Sequence, residues 1–194
     1  MADDKLVLQV IVASTRPARK GRAVADWFLT RAEAHGAFIV EDVDLARVGL
    51  PFYDETAHPK LRKYEHEHTR AWSAVVDRAD AYVVVTPEYD FGPPAVLTNA
   101  LQFLLHEWAY KPMGFVSYGG VSGGTRAAQV VKQTAVALKM MPMFEAVSIP
   151  FFAQHLDKET GTFGPPQVQA DAAAAMLTEL HRWAVALRPM RAKG

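Results

Sequence analysis

The sequence predicts an α/β fold: a five-stranded parallel sheet in the order 2-1-3-4-5, held between two layers of helices as a three-layer sandwich. Residues Leu6 to Ala13 (LVLQVIVA) form a continuous apolar run rich in β-branched side chains, the pattern of a strand buried on both faces. Four further strands alternate with helical patterns, and parallel neighbours require such crossovers. For five strands the doubly wound order 2-1-3-4-5 is the natural arrangement. No linker, repeat or shift in composition divides the 194 residues, so one domain spanning 1–194 is expected.

Each element has its own signal. After the first strand and a polar segment, Arg22 to Ala34 reads as a helix with Val24, Trp27 and Phe28 on one face. Phe38 to Val43 is the second strand, and Leu50-Pro51-Phe52-Tyr53 a loop. A long, charged, amphipathic helix is expected from Lys60 to Ala79. Ala81 to Thr86 is the third strand, followed by a helix from Pro94 to Leu105 with Leu97, Leu101 and Leu104 in register. Met113 to Tyr118, Thr125 to Lys139 and Phe144 to Ile149 supply the fourth strand, its helix and the fifth strand. After the Gly- and Pro-rich stretch Gly161–Pro166, a last helix carries the stripe Met176, Leu177, Leu180, Trp183 and Leu187.

Composition narrows the function. Lysine plus arginine equals aspartate plus glutamate at 21 each, and neither a basic excess nor a basic stripe marks a nucleic-acid surface. No apolar stretch approaches a membrane span. The acidic start, Met1 to Lys5, runs straight into a strand and does not read as a signal peptide. There are no cysteines, which removes disulfides, iron–sulfur clusters and thiol nucleophiles and fits a cytoplasmic location. Zero net charge lowers the barrier to self-association, for which several exposed-looking aromatics would serve.

Three loops carry the chemistry, and in a parallel sheet they emerge on one edge, where open α/β sheets bind ligands. Ser14-Thr15-Arg16-Pro17-Ala18-Arg19-Lys20-Gly21-Arg22-Ala23 joins the first strand to the first helix. Its hydroxyls, the amides of Gly21 to Ala23, a helix N-terminus and the Arg16 fork suit a phosphate, although a solvated basic turn has the same composition. With one glycine it matches neither the dinucleotide fingerprint nor the P-loop, so a terminal phosphomonoester is favoured over a pyrophosphate. Pro87-Glu88-Tyr89-Asp90-Phe91-Gly92-Pro93-Pro94 is a rigid, ring-bearing loop suited to a flat heteroaromatic ligand, or simply a proline-braced turn. Ser117-Tyr118-Gly119-Gly120-Val121-Ser122-Gly123-Gly124 has four glycines in six residues, allowing close approach to a ligand. Together they describe a mononucleotide site with a flat ring system, and flavin mononucleotide (FMN) fits it best.

At this point the chain resembles the NAD(P)H-dependent FMN reductases of the flavodoxin-like superfamily, a group with quinone, azo-dye and chromate reductases among its members. The resemblance lies in Ser14-Thr15-Arg16, Pro87-Glu88-Tyr89, Leu97 with Asn99-Ala100, Glu107-Trp108 followed by Lys111-Pro112, and Tyr118-Gly119-Gly120 with Gly123-Gly124. It implies a flavodoxin-like fold, an FMN-binding oxidoreductase and a homodimer or dimer of dimers. Carried over, Ser14, Arg16 and the amides of Gly21, Arg22 and Ala23 hold the phosphate. Pro87, Glu88, Tyr89, Asp90 and Phe91 line the ribityl chain and ring. Ser117, Tyr118, Gly119 and Gly120 lie along the pyrimidine side. Two positions depart from the family: Asp90 stands where members often have asparagine, and Thr98 replaces a frequent lysine.

The expected reaction is hydride transfer from NADPH or NADH to the flavin, followed by delivery of electrons to a small acceptor such as a quinone, azo compound or free flavin, in ping-pong order. The cofactor carries the chemistry, so no catalytic side chain is expected. Backbone amides of Gly119-Gly120 would stabilise the reduced ring. Metal ligation is not expected: His66 and His68, read as helical, sit two apart and face different directions. Glu88 is read as fixing its loop or a subunit contact, and Trp72 and Trp108 as packing or interface residues. A flavodoxin-type electron carrier and a non-enzymatic flavin- or nucleotide-binding module are the alternatives; carriers tend to be strongly acidic, which this chain is not.

Overall fold

The computed structural model describes residues 5–191; the acidic start from Met1 to Asp4 lies outside them. Its sheet is built from β1 (Leu6–Val12), β2 (Phe38–Asp44), β3 (Ala81–Pro87) and β4 (Pro112–Tyr118), with β5 (Met141–Pro142) and β6 (Val147–Ile149) on the far edge. The order is β2-β1-β3-β4-β5, all parallel, with β6 also paired to β4. The chain thus has the flavodoxin-like order. Helix α1 (Gly21–His35) and the last helix, α6 (Gln167–Arg191), cover one face. On the other lie α3 (Glu67–Asp77), α4 (Ala95–Gln102) and α5 (Thr125–Ala137), while α2 (Leu45–Val48) is a single turn after β2.

Strand alternation splits the core in two. Leu8, Val10, Val12, Val83, Val85, Val116 and Tyr118 face α1 and α6. Ile11, Ala13, Tyr82, Val84, Met113 and Phe115 face the other helices, where Trp72 and Trp108 are also buried. Their indole N–H groups donate to the Ala100 and Leu101 carbonyls, so both tryptophans are packing residues.

Four expectations change. The charged helix after the second strand starts at Glu67, not Lys60: residues Pro59–Leu61 make a short 3-10 turn that ends in a left-handed Arg62. Glu55, distant in sequence, accepts from the amides of Glu65 and His66 and fixes that start. His66 therefore precedes the helix instead of lying on it, and its ring stacks on His68 at 5.1 Å rather than facing away. The fifth strand is two short pieces, and Phe144 between them is 90% exposed instead of opening a strand. In α6, Ala184 takes the buried position and Trp183 turns to the surface.

Candidate functional site

A crevice of about 270 Å³ opens at the carboxyl ends of β1, β3 and β4. Ser14, Arg16, Gly21, Pro87, Glu88, Tyr89, Tyr118, Gly119 and Gly120 line it, together with Arg19, Lys20 and Phe152. The three loops singled out in the sequence meet there.

The first loop leaves β1 at Ala13, whose amide donates to Val85, and turns through a left-handed Ala18 into α1. Among the described residues the amides of Gly21 and Arg22 make no hydrogen bond, which leaves two donors at the N-terminus of a 15-residue helix. Ala23 differs: its amide donates to the Lys20 carbonyl at 3.2 Å, and the residue does not line the crevice. The Arg22 side chain points away to Asp26 and Asp42. Arg19, which local pattern does not distinguish from its basic neighbours, braces the loop by donating to the Ser14 carbonyl and to both carboxylate oxygens of buried Asp44. Burial raises the Asp44 pKa, but the bonds from Arg19 and the Ala46 amide, with the Arg19 and Arg22 charges, together hold the group below the ordinary aspartate range.

In the second loop Tyr89 and Gly92 exchange backbone hydrogen bonds at 2.9 Å around Asp90 and Phe91, both with positive φ. This is the tight two-residue turn that favours asparagine, aspartate or glycine. Asp90 meets that backbone demand. The turn carries Asp90 and Phe91 away from the crevice, and Phe91 is 67% exposed with the Arg126 guanidinium 4.3 Å from its ring centre. Glu88 secures the loop to α5, accepting from the amide of Arg126 at 3.0 Å and its guanidinium at 2.8 Å. Burial pushes the Glu88 pKa up, while bonds from Ser122 and Arg126 pull it below the usual carboxylate value. Tyr89 reaches back across the crevice, its hydroxyl 2.9 Å from the Ser14 hydroxyl.

In the third loop Ser117 is turned from the crevice and donates to the Gly123 carbonyl at 2.9 Å. The glycines have different reasons. Gly124 has φ +80°, and a Cβ there would lie 2.6 Å from the Tyr118 amide. Gly120 has no neighbour within reach of a Cβ, so its lack of a side chain keeps part of the crevice open. The Gly119 amide donates to the Ile149 carbonyl at 3.3 Å, while that of Gly120 makes no hydrogen bond among the described residues. Phe152, remote in sequence, packs its ring against Tyr118 at 5.0 Å.

Unspent amides and a guanidinium at one end, a tyrosine wall and a glycine-kept gap suit a phosphorylated ligand with a flat ring. The residues fit FMN. On the same edge Asn99 pins the neighbouring loop, accepting from the Tyr53 amide and donating to the Pro51 carbonyl, and holds out Phe52, which is 87% exposed.

Comparison with known proteins agrees with this geometry. The chain is 41% identical over 145 residues to an NAD(P)H-dependent FMN reductase of Schizosaccharomyces pombe, covering 73% of this chain and 72% of that one. It is 30% identical over 145 residues to a quinone reductase of Pseudomonas putida, covering 71% and 74%. The structure aligns with FerB, a flavoenzyme NAD(P)H:(acceptor) oxidoreductase from Paracoccus denitrificans, at a TM-score of 0.69 and 21% identity, over 92% of this chain and 97% of that one. Residues 7–154 match the NADPH-dependent FMN reductase family model, and the chain belongs to that family of oxidoreductases.

Proposed function

We propose that the protein binds FMN in this crevice and uses NADPH or NADH to reduce a small-molecule acceptor, a quinone being the leading class. The observation that carries the reading is the meeting of Arg16, Tyr89 and Gly120 around one crevice in a chain of this family. Arg16, Ser14 and the amides of Gly21 and Arg22 hold the phosphate, and Pro87 and Tyr89 wall the middle. Gly120 leaves room for the ring and offers its N–H to the edge that becomes electron-rich on reduction. When bound, FMN supplies the redox chemistry, accepting hydride from the nicotinamide and passing electrons on. The chain's part is to hold, orient and shield. Glu88, committed to Arg126, fixes the aromatic loop rather than moving a proton.

The relatives named quinone reductase support a quinone as acceptor. Phe52 and Phe91 are large exposed aromatics on or beside the crevice edge, and a second copy of the chain that covers them would narrow access to it. The test is direct. Purified protein should take up FMN, turn yellow and oxidise NADPH or NADH only when a quinone is supplied. Retention of FMN without quinone-dependent oxidation sinks the reductase reading and leaves a binding module; sedimentation at micromolar concentration reports the dimer separately.

A further inference from the structure

Tyr118 sits differently from what its place beside Gly119-Gly120 suggests. It ends β4 on the face that carries α1, and its phenol runs toward the start of that helix. A Cβ on Gly21 would collide with the Tyr118 hydroxyl. The groups that act on the phenol are Tyr89, Ser14, Arg19 and Arg16, all from the phosphate-loop side of the crevice. Tyr118 is 3% exposed yet lines the crevice, and Phe152 packs edge-on against its ring to hold it there. Burial, with Tyr89 next, drives its pKa well above the ordinary tyrosine value. The group is therefore a neutral O–H donor at any physiological pH.

We infer that Tyr118 is a phosphate-binding residue, its phenol O–H donating to the terminal phosphate of FMN beside Ser14 and the amides of Gly21 and Arg22, rather than a residue of the pyrimidine edge. The inference rests on the reading of this crevice as an FMN site. A neutral donor suits the spot, since Arg16 already supplies a charge and a phosphate dianion needs several acceptor lone pairs filled. The same placement explains Gly21: a glycine opens α1, at some cost in helix propensity, because the phenol occupies the space a side chain would take.

The experiment compares FMN with riboflavin, which lacks the phosphate, by quenching of flavin fluorescence in wild type and Tyr118→Phe, with no nicotinamide present. Phenylalanine keeps the ring and its packing on Phe152, and an unchanged melting temperature verifies this. Wild type should prefer FMN strongly. In Tyr118→Phe the FMN dissociation constant should rise roughly tenfold to a hundredfold, the scale of a hydrogen bond to a charged group, while that for riboflavin moves less than twofold. An equal loss for both flavins, or no loss for either, overturns the role of Tyr118 and leaves the FMN site standing. A wild type that does not distinguish FMN from riboflavin overturns the phosphate site itself.

Discussion

Two hollows lie at opposite ends of the same sheet, and the smaller is the candidate site. The larger, about 710 Å³, lies at the amino ends of β3 and β4, bounded by Asp77, Asp80, Tyr110, Lys111 and Arg191 among others. Two of its polar groups, Lys111 and Arg191, are spent on the fold. The buried Lys111 amine donates to the carbonyls of Val76 and Asp77 and to the Tyr82 hydroxyl, closing the C-terminus of α3. Arg191 pairs with Asp80 at 2.8 Å. In the crevice, amides at the start of α1 and at Gly120 are unspent, and glycine keeps space open. Volume does not single out the crevice; its open backbone amides and the loops that converge on it make it the candidate site.

The comparison breaks most easily at Arg16. Arg16→Ala should weaken FMN by about 1.5–3 kcal/mol, the value of a charged hydrogen bond, without moving the melting temperature. An unchanged dissociation constant would remove the first loop from the site. Lys111→Met tests the opposite end and should behave inversely. It strips the Asp77 carbonyl of its donor, while the Val76 carbonyl still accepts from the Tyr82 hydroxyl and the Ala79 amide, costing about 1–3 kcal/mol, or roughly 3–10 °C for a chain of this size, while FMN affinity stays put. If flavin binding falls instead, the two ends are not independent.

A pH series sharpens the contrast. Burial pulls the Lys111 pKa down to about 8, against about 10.4 in an unfolded chain. Between those values the unfolded state binds more protons, so this lysine's contribution to stability should rise with pH across roughly 8 to 10.4. Denaturant titrations should show wild type gaining on Lys111→Met over that window, and parallel curves would refute it. The smallest effect is expected at Asp90→Asn, which keeps a residue tolerant of positive φ at an exposed turn. Stability should change by less than about 0.5 kcal/mol, and a larger loss would show that the Asp90 charge matters to the loop.

The strands and the three loops were legible because apolar runs and glycine clusters are local signals, and the strand order followed from counting five parallel strands. What escaped depended on partners far away in sequence. The start of α3 is fixed by Glu55 across the loop, and nothing in the Lys60–Glu65 stretch announces it. Arg19 matters through Asp44, 25 residues on. Phe152 reaches the crevice from beyond β6. Asp90 and Phe91 lie in the expected loop but not among the residues lining the crevice, at a two-residue turn with both φ positive. The direction of Tyr118 toward α1 follows from strand alternation, which puts it and Ser117 on opposite faces.

The divided outer strand has a consequence for how copies of this chain can meet. An uninterrupted border strand is a template on which another backbone can zip, and natural proteins blunt such borders with short or bent segments. Here two fragments of two and three residues flank a bend carrying Phe144, so no long ladder of free amides is presented on that side. Extension of the sheet by another backbone is discouraged at that border, in contrast to the opposite one, where β2 runs unbroken for seven residues.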